Sequence, residues 1–460
     1  MCSSGREEIR ITDTILTLPN HDSVPSIVFT LSEGPQELPT QRSITPISVR
    51  SPAATSVASF TQANPRNRYF HSRRIKDPKE IQKPWLGKKD PREKWVTIIP
   101  LTGIVIGLGI AAFLVYNGIS SVVNRKYCEV FVEDWSQGFR EDIWTREVEV
   151  GGFGNGQFEF TTPYSENSFV GSDGMLHIRP TITETQLLEN DNILDLTAEG
   201  LCTSNLKKNC VTRTSVANRT IINPVRSARI HTKTSASIRY GKVEVRAKLP
   251  EGKWLWPAIW MLPVNSTYGD WPRSGEIDIV ESRGNRYSHK QGGNDIMSSA
   301  LHWGPDAENS AWWKTNNKGG ALHTTYAEKF HTFGLEWSEN YLFTYVNSRL
   351  LLVLYVPFPK GGLYKSGGFP LTNSKGARII DPWSQTGRRS TPFDQHFYLI
   401  LNVAVGATNG WFEDGIDGKP WVDGSQSARK DFWDARQDWH PTWKNNGEMV
   451  VESVKMWQQC

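Results

Sequence analysis

From Trp95 to Val123 the chain carries no charged residue, and the centre of that run, Ile98 to Tyr116 (IIPLTGIVIGLGIAAFLVY), is apolar all round. A helix buried in a globular domain is shorter and keeps a polar stripe, whereas a run of this length matches the ~30 Å hydrocarbon layer of a bilayer. The run therefore predicts a transmembrane helix over 95–123. It lies too far from the N-terminus, and is too long, for a cleaved secretory signal. Lys76, Lys79, Lys83, Lys88, Lys89, Arg92 and Lys94 precede it, whereas Arg125, Lys126 and Arg140 follow within a similar distance. The cation-rich flank stays in the cytosol. A single-pass type II membrane topology follows, with everything past the span lumenal or extracellular.

Residues 1–94 read as a disordered cytosolic tail. Rich in Ser, Thr, Pro and Arg and without sustained periodicity, they bury too little apolar surface to offset the entropy of ordering. Beyond the span the composition changes, and all but Trp85 and Trp95 of the 19 tryptophans follow residue 127. A net charge of +4, dispersed over a chain with 22% charged residues, argues against polyanion binding, and no nucleic-acid partner is expected. Of 5 cysteines, Cys2 lies in the tail and Cys128, Cys202, Cys210 and Cys460 lie outside. An even number in an oxidising space predicts disulfides. Cys202 and Cys210 would close a short loop in LCTSNLKKNC; Cys128 can pair with Cys460 only if the first and last strands of the outer domain are neighbours. Asn218-Arg-Thr and Asn265-Ser-Thr are glycosylation candidates on the same side of the membrane.

The outer domain, expected over 124–460, shows strand patterns separated by Gly, Pro, Asn and Asp turns. They include MLHIRP (175–180), SIRYGKVEVRAKL (237–249), HTFGLEW (331–337), YLFTYVN (341–347), FYLILNVAV (397–405) and MVVESVKMW (449–457). Many short alternating strands without an internal repeat predict an all-β sandwich or barrel. One strand is unusual: GEIDIVE (275–281) carries Glu276, Asp278 and Glu281. Side chains alternate along a strand, so Glu276 and Asp278 share a face and Glu281 points the other way. Acids at this spacing also fit the wet face of an edge strand. A β-bulge of one extra residue between Asp278 and Glu281, at Val280 or a neighbour, would correct the parity and bring all three to one side. The glutamate Cα atoms would then lie roughly 13 Å apart, within reach of the ~5–5.5 Å carboxyl separation used by retaining glycosidases. Like charges so close also raise the pKa of one partner, leaving an acid beside a base.

The E-x-D-x-x-E pattern in GEIDIVE resembles the bulged active-site strand of glycoside hydrolase family 16. YGKVEVRAKLP, GKWLWPAIWMLP, WPRSGEIDIVESRGN, ALHWG, FHTFGLEW, PFDQHFYLILNVAVG and VESVKMWQ resemble family segments in family order, over about residues 128–460. The similarity is greatest to the subgroup of β-1,3-glucanases and invertebrate β-1,3-glucan recognition proteins. It implies a concanavalin-like β-jelly-roll sandwich, preceded here by the tail and the span, whose cleft holds a linear β-glucan. By the same resemblance Glu276 is the nucleophile, Glu281 the acid/base, Asp278 the assisting carboxylate, and His302 in ALHWG stands beside the nucleophile. Trp256, Trp271 and Trp411 are candidate sugar-binding residues, Trp312 and Trp313 are further candidates, and Trp254 and Trp260 are divided between cleft and core. Arg273 reads either as a clamp on a sugar hydroxyl or as half of a structural ion pair. No HExxH, paired CxxC or phosphate-cradling glycine loop occurs, so no cofactor or catalytic metal is indicated.

The resulting expectation is a membrane-anchored retaining endo-β-1,3(4)-glucanase acting on cell-wall β-glucan. Two alternatives stand beside it: a non-catalytic β-1,3-glucan-binding protein, and a transglycosylase or wall-assembly factor, since hydrolysis and transfer share one covalent intermediate. The topology is directly testable. Protease added to sealed microsomes should remove an N-terminal tag and spare a C-terminal one; the reverse pattern rejects the orientation, and with it the glycan and disulfide expectations.

Overall fold

The structure is a computed structural model describing residues 74, 76–77, 79, 81–84, 87, 90–121 and 125–460. Most of the expected tail, including Lys88, Lys89 and Cys2, and residues Val122 and Val123 of the expected span, lie outside the described residues. A helix runs from Glu93 to Ser121, 29 residues long. It starts where the Asp90 carboxylate accepts the Arg92 backbone N–H at 2.9 Å, and Glu93 in its first turn complements the positive helix end. Within Glu93–Gly118 an 18-residue window has a mean hydropathy of 2.5 and no buried residue. The boundary between the chain's two compact units falls at Leu101, inside this helix.

From Tyr127 onward the chain forms a jelly-roll sandwich of two eight-stranded sheets. In spatial order the first sheet contains Leu352–Pro357, Tyr341–Val346, His331–Trp337, Gly241–Lys248, Met449–Gln459, Leu176–Ile178 and Ser168–Val170, with Tyr127–Glu133 also paired to Met449–Gln459. The second contains Asn316–Gly320, Ile296–His302, Glu276–Ser282, Leu255–Pro263, Phe397–Val405, Arg229–His231 and Thr145–Glu147, with Ser237–Ile238 also on Phe397–Val405. Alternation drives the packing. Val243, Val245 and Ala247 are fully buried against a core that includes Ile259, Ile277, Leu301, Leu399 and Leu401 from the facing sheet. The expected pattern SIRYGKVEVRAKL divides between the sheets. Tyr240 takes φ 63°, and a side chain at Gly241 would meet the Trp457 carbonyl at 2.0 Å, so the chain crosses from one sheet to the other at this point.

Both disulfides are present. Cys202–Cys210 closes its loop, and Cys128–Cys460 bridges Cα atoms 5.8 Å apart because the first and last strands are antiparallel neighbours.

The bulge falls where it was expected, between Asp278 and Glu281, with Val280's neighbour Ile279 as the extra residue. Ile259 faces Val280 and Trp260 faces Asp278, so the unmatched residue is Ile279, while Ser299 alone opposes Ile279 and Val280 on the other side. A bulge leaves ladder groups unpaired. Here the Ile279 carbonyl accepts the Ser299 hydroxyl at 2.6 Å, Ser299 Oγ accepts the Thr344 hydroxyl at 2.8 Å, and Thr344 Oγ1 accepts the Leu354 N–H at 3.2 Å. Ser299 and Thr344 are fully buried, so the relay runs through the core from one sheet to the other. Its far end adjoins a second register shift, between Thr344 and Tyr345 against Leu354 and Leu352. Ser299→Ala leaves the Ile279 carbonyl without this donor and the Thr344 hydroxyl proton without an acceptor, and should cost about 1–3 kcal/mol in denaturant unfolding. Thr344→Val should cost a similar amount, and the double variant distinctly less than the sum; additive losses would show that the relay does not act as one unit.

Candidate active site

Gly275 (φ 84°) delivers the chain into the carboxylate strand at a point where a side chain would crowd Phe393 and Pro392 at 3.1 and 3.2 Å. Beyond it the bulge does what the parity argument required. Ile277, Ile279 and Val280 face the core, while Glu276, Asp278 and Glu281 meet on the opposite face. Glu276 and Glu281 are half-buried and Asp278 is buried.

Each acid has its own partners. Glu276 Oε2 accepts the Trp271 indole N–H at 2.9 Å, and its Oε1 lies 3.9 Å from His302 Nε2. Asp278 Oδ2 lies 3.2 Å from the same His302 nitrogen. Glu281 Oε1 accepts the Trp256 indole N–H at 3.0 Å. Burial, then the negative charges of Glu276 and Glu281, push Asp278 well above the usual carboxylate range. Burial lifts Glu281 to about 7; His302 opposes that rise and Glu276 adds to it. Burial alone would lower His302, but the three surrounding carboxylates outweigh it and raise the imidazole to about 9. At neutral pH the site therefore combines an imidazolium with a Glu281 poised between its protonated and ionised forms. The ligand atoms of Glu276, Asp278 and His302 lie within 4.8 Å of one another, a spacing that suits a cation. His302 would have to lose its proton to ligate a metal, and as an imidazolium it already supplies the positive charge.

The tryptophans divide differently from expectation. Trp271 is 45% exposed beside Glu276, and a row of rings continues through His302 at 5.5 Å to Trp312 at 6.2 Å, with Trp313 exposed nearby in sequence. Trp256 is only 6% exposed. It stacks on Trp411 at 4.6 Å, and the Arg283 guanidinium lies 4.1 Å over the Trp411 ring. Trp256 and Trp411, stacked on one another through one face each, form a wall that holds Glu281. Trp254 is core, packed against Phe412 and Trp421. Among the described residues Arg273 makes no ion pair; its Nε donates to the Pro305 carbonyl at 2.5 Å. Asn218 and Asn265 are exposed.

Near the acids, Asn402, Arg229 and Arg283 went unread in the sequence. Trp260 lies beside Asp278 in register and donates its N–H to Asn402 at 2.7 Å, and Arg229 lies over the Trp260 ring at 4.7 Å. Asn402 is the lone polar residue of FYLILNVAV, a signal that could have marked it. Arg283 shares the parity of Glu281, and burial lowers it to about 10.

A bulged strand with paired glutamates on the open face of a jelly roll defines a glycoside hydrolase scaffold. Residues 182–364, which include this strand, match the family model for Glycosyl hydrolases family 16. A beta-1,3-glucan-binding protein of Penaeus monodon is 40% identical over 336 residues, covering 72% of this chain and 88% of that protein. A glucan endo-1,3-beta-glucosidase of Cryptopygus antarcticus is 37% identical over 180 residues, covering 39% of this chain and 55% of that one. The laminarinase catalytic domain of Thermotoga maritima is 23% identical, with 73% of this chain and 99% of that chain covered at a TM-score of 0.45. The chain belongs to glycosyl hydrolase family 16.

The Trp256–Glu281 hydrogen bond gives a pH test. Donation to the carboxylate favours its charged form, so Trp256→Phe should raise the Glu281 pKa above about 7. The alkaline limb of kcat/KM should then move to higher pH by about one pH unit or more, and an infrared titration of the carboxyl band should show the same direction. A limb that stays put, or moves to lower pH, removes Glu281 as the group that must carry the proton.

Proposed function

We propose that this protein is a membrane-anchored retaining endo-β-1,3(4)-glucanase. The observation that carries the reading is the intact trio, with Glu281 lifted to about 7 opposite a Glu276 held by Trp271 and facing His302. Glu281 donates its proton to the glycosidic oxygen while Glu276 attacks the anomeric carbon, forming a glycosyl ester and releasing the leaving sugar as an alcohol. The ionised Glu281, stabilised by the Trp256 N–H, then takes a proton from water as that water attacks from the opposite face. Asp278 and His302 position Glu276 and balance its charge. Exposed Trp271 and Trp312 offer stacking surfaces to sugar rings.

The β-1,3 linkage is supported by the names of the relatives, among them both binding proteins and endo-glucosidases. The binding proteins also motivate the second reading, a receptor that holds glucan without cleaving it. For the anchor, support comes from the exposed apolar helix Glu93–Ser121 and from its cation-rich upstream flank; this reading assigns 1–94 to the cytosol and places 124–460, with sequons Asn218 and Asn265, on the other side.

Incubation with a β-1,3-glucan oligosaccharide separates the readings. Shorter products are expected; longer ones mean transfer, and binding without turnover means a receptor. The roles of the glutamates separate by stereochemistry on an activated β-glycoside with azide present. Glu276→Ala should yield the α-glycosyl azide by one displacement, and Glu281→Ala the β-glycosyl azide through the ester. Swapped anomers reverse the assignment.

A further inference from the structure

Away from the carboxylate strand, a cavity of about 400 Å³ opens between the strand Val211–Arg213, the loop after the Phe397–Val405 strand, and the short helix Ala428–Asp434. Phe158 contributes an apolar floor, and Thr212, Thr220, Thr408, Arg213 and Arg429 line the walls. The polar groups of this lining are largely unused within the protein. Among the described residues, the hydroxyls of the three threonines have no hydrogen-bond partner, and neither arginine has an acid within ion-pair distance. Arg429 makes one hydrogen bond, from Nη1 to Asn223 Oδ1 at 3.1 Å.

Glu159, 2% exposed, accepts the Val405 N–H at 2.7 Å; burial pushes its carboxyl up to about 8, and the charge of Arg429 opposes that rise. Two arginines thus line a concavity, and among the described residues neither is ion-paired. Guanidinium groups recognise oxyanions through paired N–H donors. The space is far larger than a bare sulfate or phosphate needs and falls in the ~300–1,000 Å³ range of small-molecule pockets with an apolar wall and a few convergent polar groups. Threonine hydroxyls, which both donate and accept, match the hydroxyls of a sugar.

The geometry is local and covalently supported. Thr212 and Arg213 lie two and three residues after Cys210, whose disulfide to Cys202 pins the start of their strand. On the opposite wall a side chain at Gly156 (φ 66°) would meet Thr408 Oγ1 at 2.0 Å, so the glycine admits the threonine to its place.

We propose that this cavity is a second carbohydrate site, separate from the carboxylate cleft, that binds a hexose unit carrying an oxyanion, a uronate or a sulfate ester. The site takes the anionic group between Arg213 and Arg429 and the ring hydroxyls on Thr212, Thr220 and Thr408.

The full chain in detergent is titrated calorimetrically with glucuronic acid, glucose 6-sulfate, glucose and sodium sulfate. Both anionic sugars should bind at least roughly tenfold more tightly than either glucose or sulfate alone, and added salt should weaken them. Arg213→Gln, an exposed position whose change spares the fold, should weaken them at least about tenfold, as should Arg429→Gln. Saturating β-1,3-glucan tetrasaccharide should not displace them. Equal binding of glucose and glucuronic acid, sulfate binding as tightly as glucose 6-sulfate, insensitivity to Arg213→Gln, or displacement by the tetrasaccharide would each overturn the proposal. None of these outcomes depends on whether the carboxylate strand hydrolyses glucan.

Discussion

The open face of this protein depends on a hydrogen bond that never touches it, the one the Ser299 hydroxyl gives to the carbonyl of Ile279. Without Ile279 as an extra residue, Glu281 would point into the core, where an acid between Ile277 and Val280 has no partner. The extra residue in turn leaves a carbonyl out of the ladder, in a region closed to water. Ser299 answers that carbonyl, Thr344 answers Ser299, and Leu354 answers Thr344 from beside an irregularity in the other sheet. Two register shifts that would each be awkward alone complete one another's hydrogen bonding across the sandwich.

Once the acids share a face, burial and mutual repulsion set their protonation. Asp278 sits between two glutamates and is driven furthest; Glu281, walled by Trp256, Trp411 and Arg283, stops at about 7. His302 gathers the excess negative charge on the Glu276 side. The two glutamates are thus distinguished by surroundings, an indole wall on one side and an imidazolium on the other, although the strand supplies the same side chain twice.

Much of this was legible in the chain. Alternation gave the sandwich strands, and the parity conflict in GEIDIVE demanded a bulge before any fold was seen. What stayed hidden were contacts between residues distant in sequence. Which residue between Asp278 and Glu281 is the extra one depends on Ser299 and Ile259, which fix the register from either side and leave Ile279 unmatched. Nothing near Trp256 announces that Trp411, far along the chain, stacks on one of its faces. SIRYGKVEVRAKL reads as one strand because nothing local announces that Trp457 leaves no room at Gly241. Cys128 and Cys460 could be paired only on the condition that first and last strands adjoin, which is a property of topology and not of spacing.

That last bond changes how the domain responds to being pulled. Residues between Cys128 and Cys460 form a covalently closed ring 332 residues in sequence separation, and the chain toward the apolar helix joins the ring next to the bond itself. Tension arriving along that chain reaches the closure within a few residues and divides between two antiparallel neighbours, Tyr127–Glu133 and Met449–Gln459. The first strand cannot be peeled away by itself, because its starting end is tied to the strand it would leave. Unravelling of the domain from the side of the apolar helix is blocked by covalent connectivity, whatever the strength of the sheet.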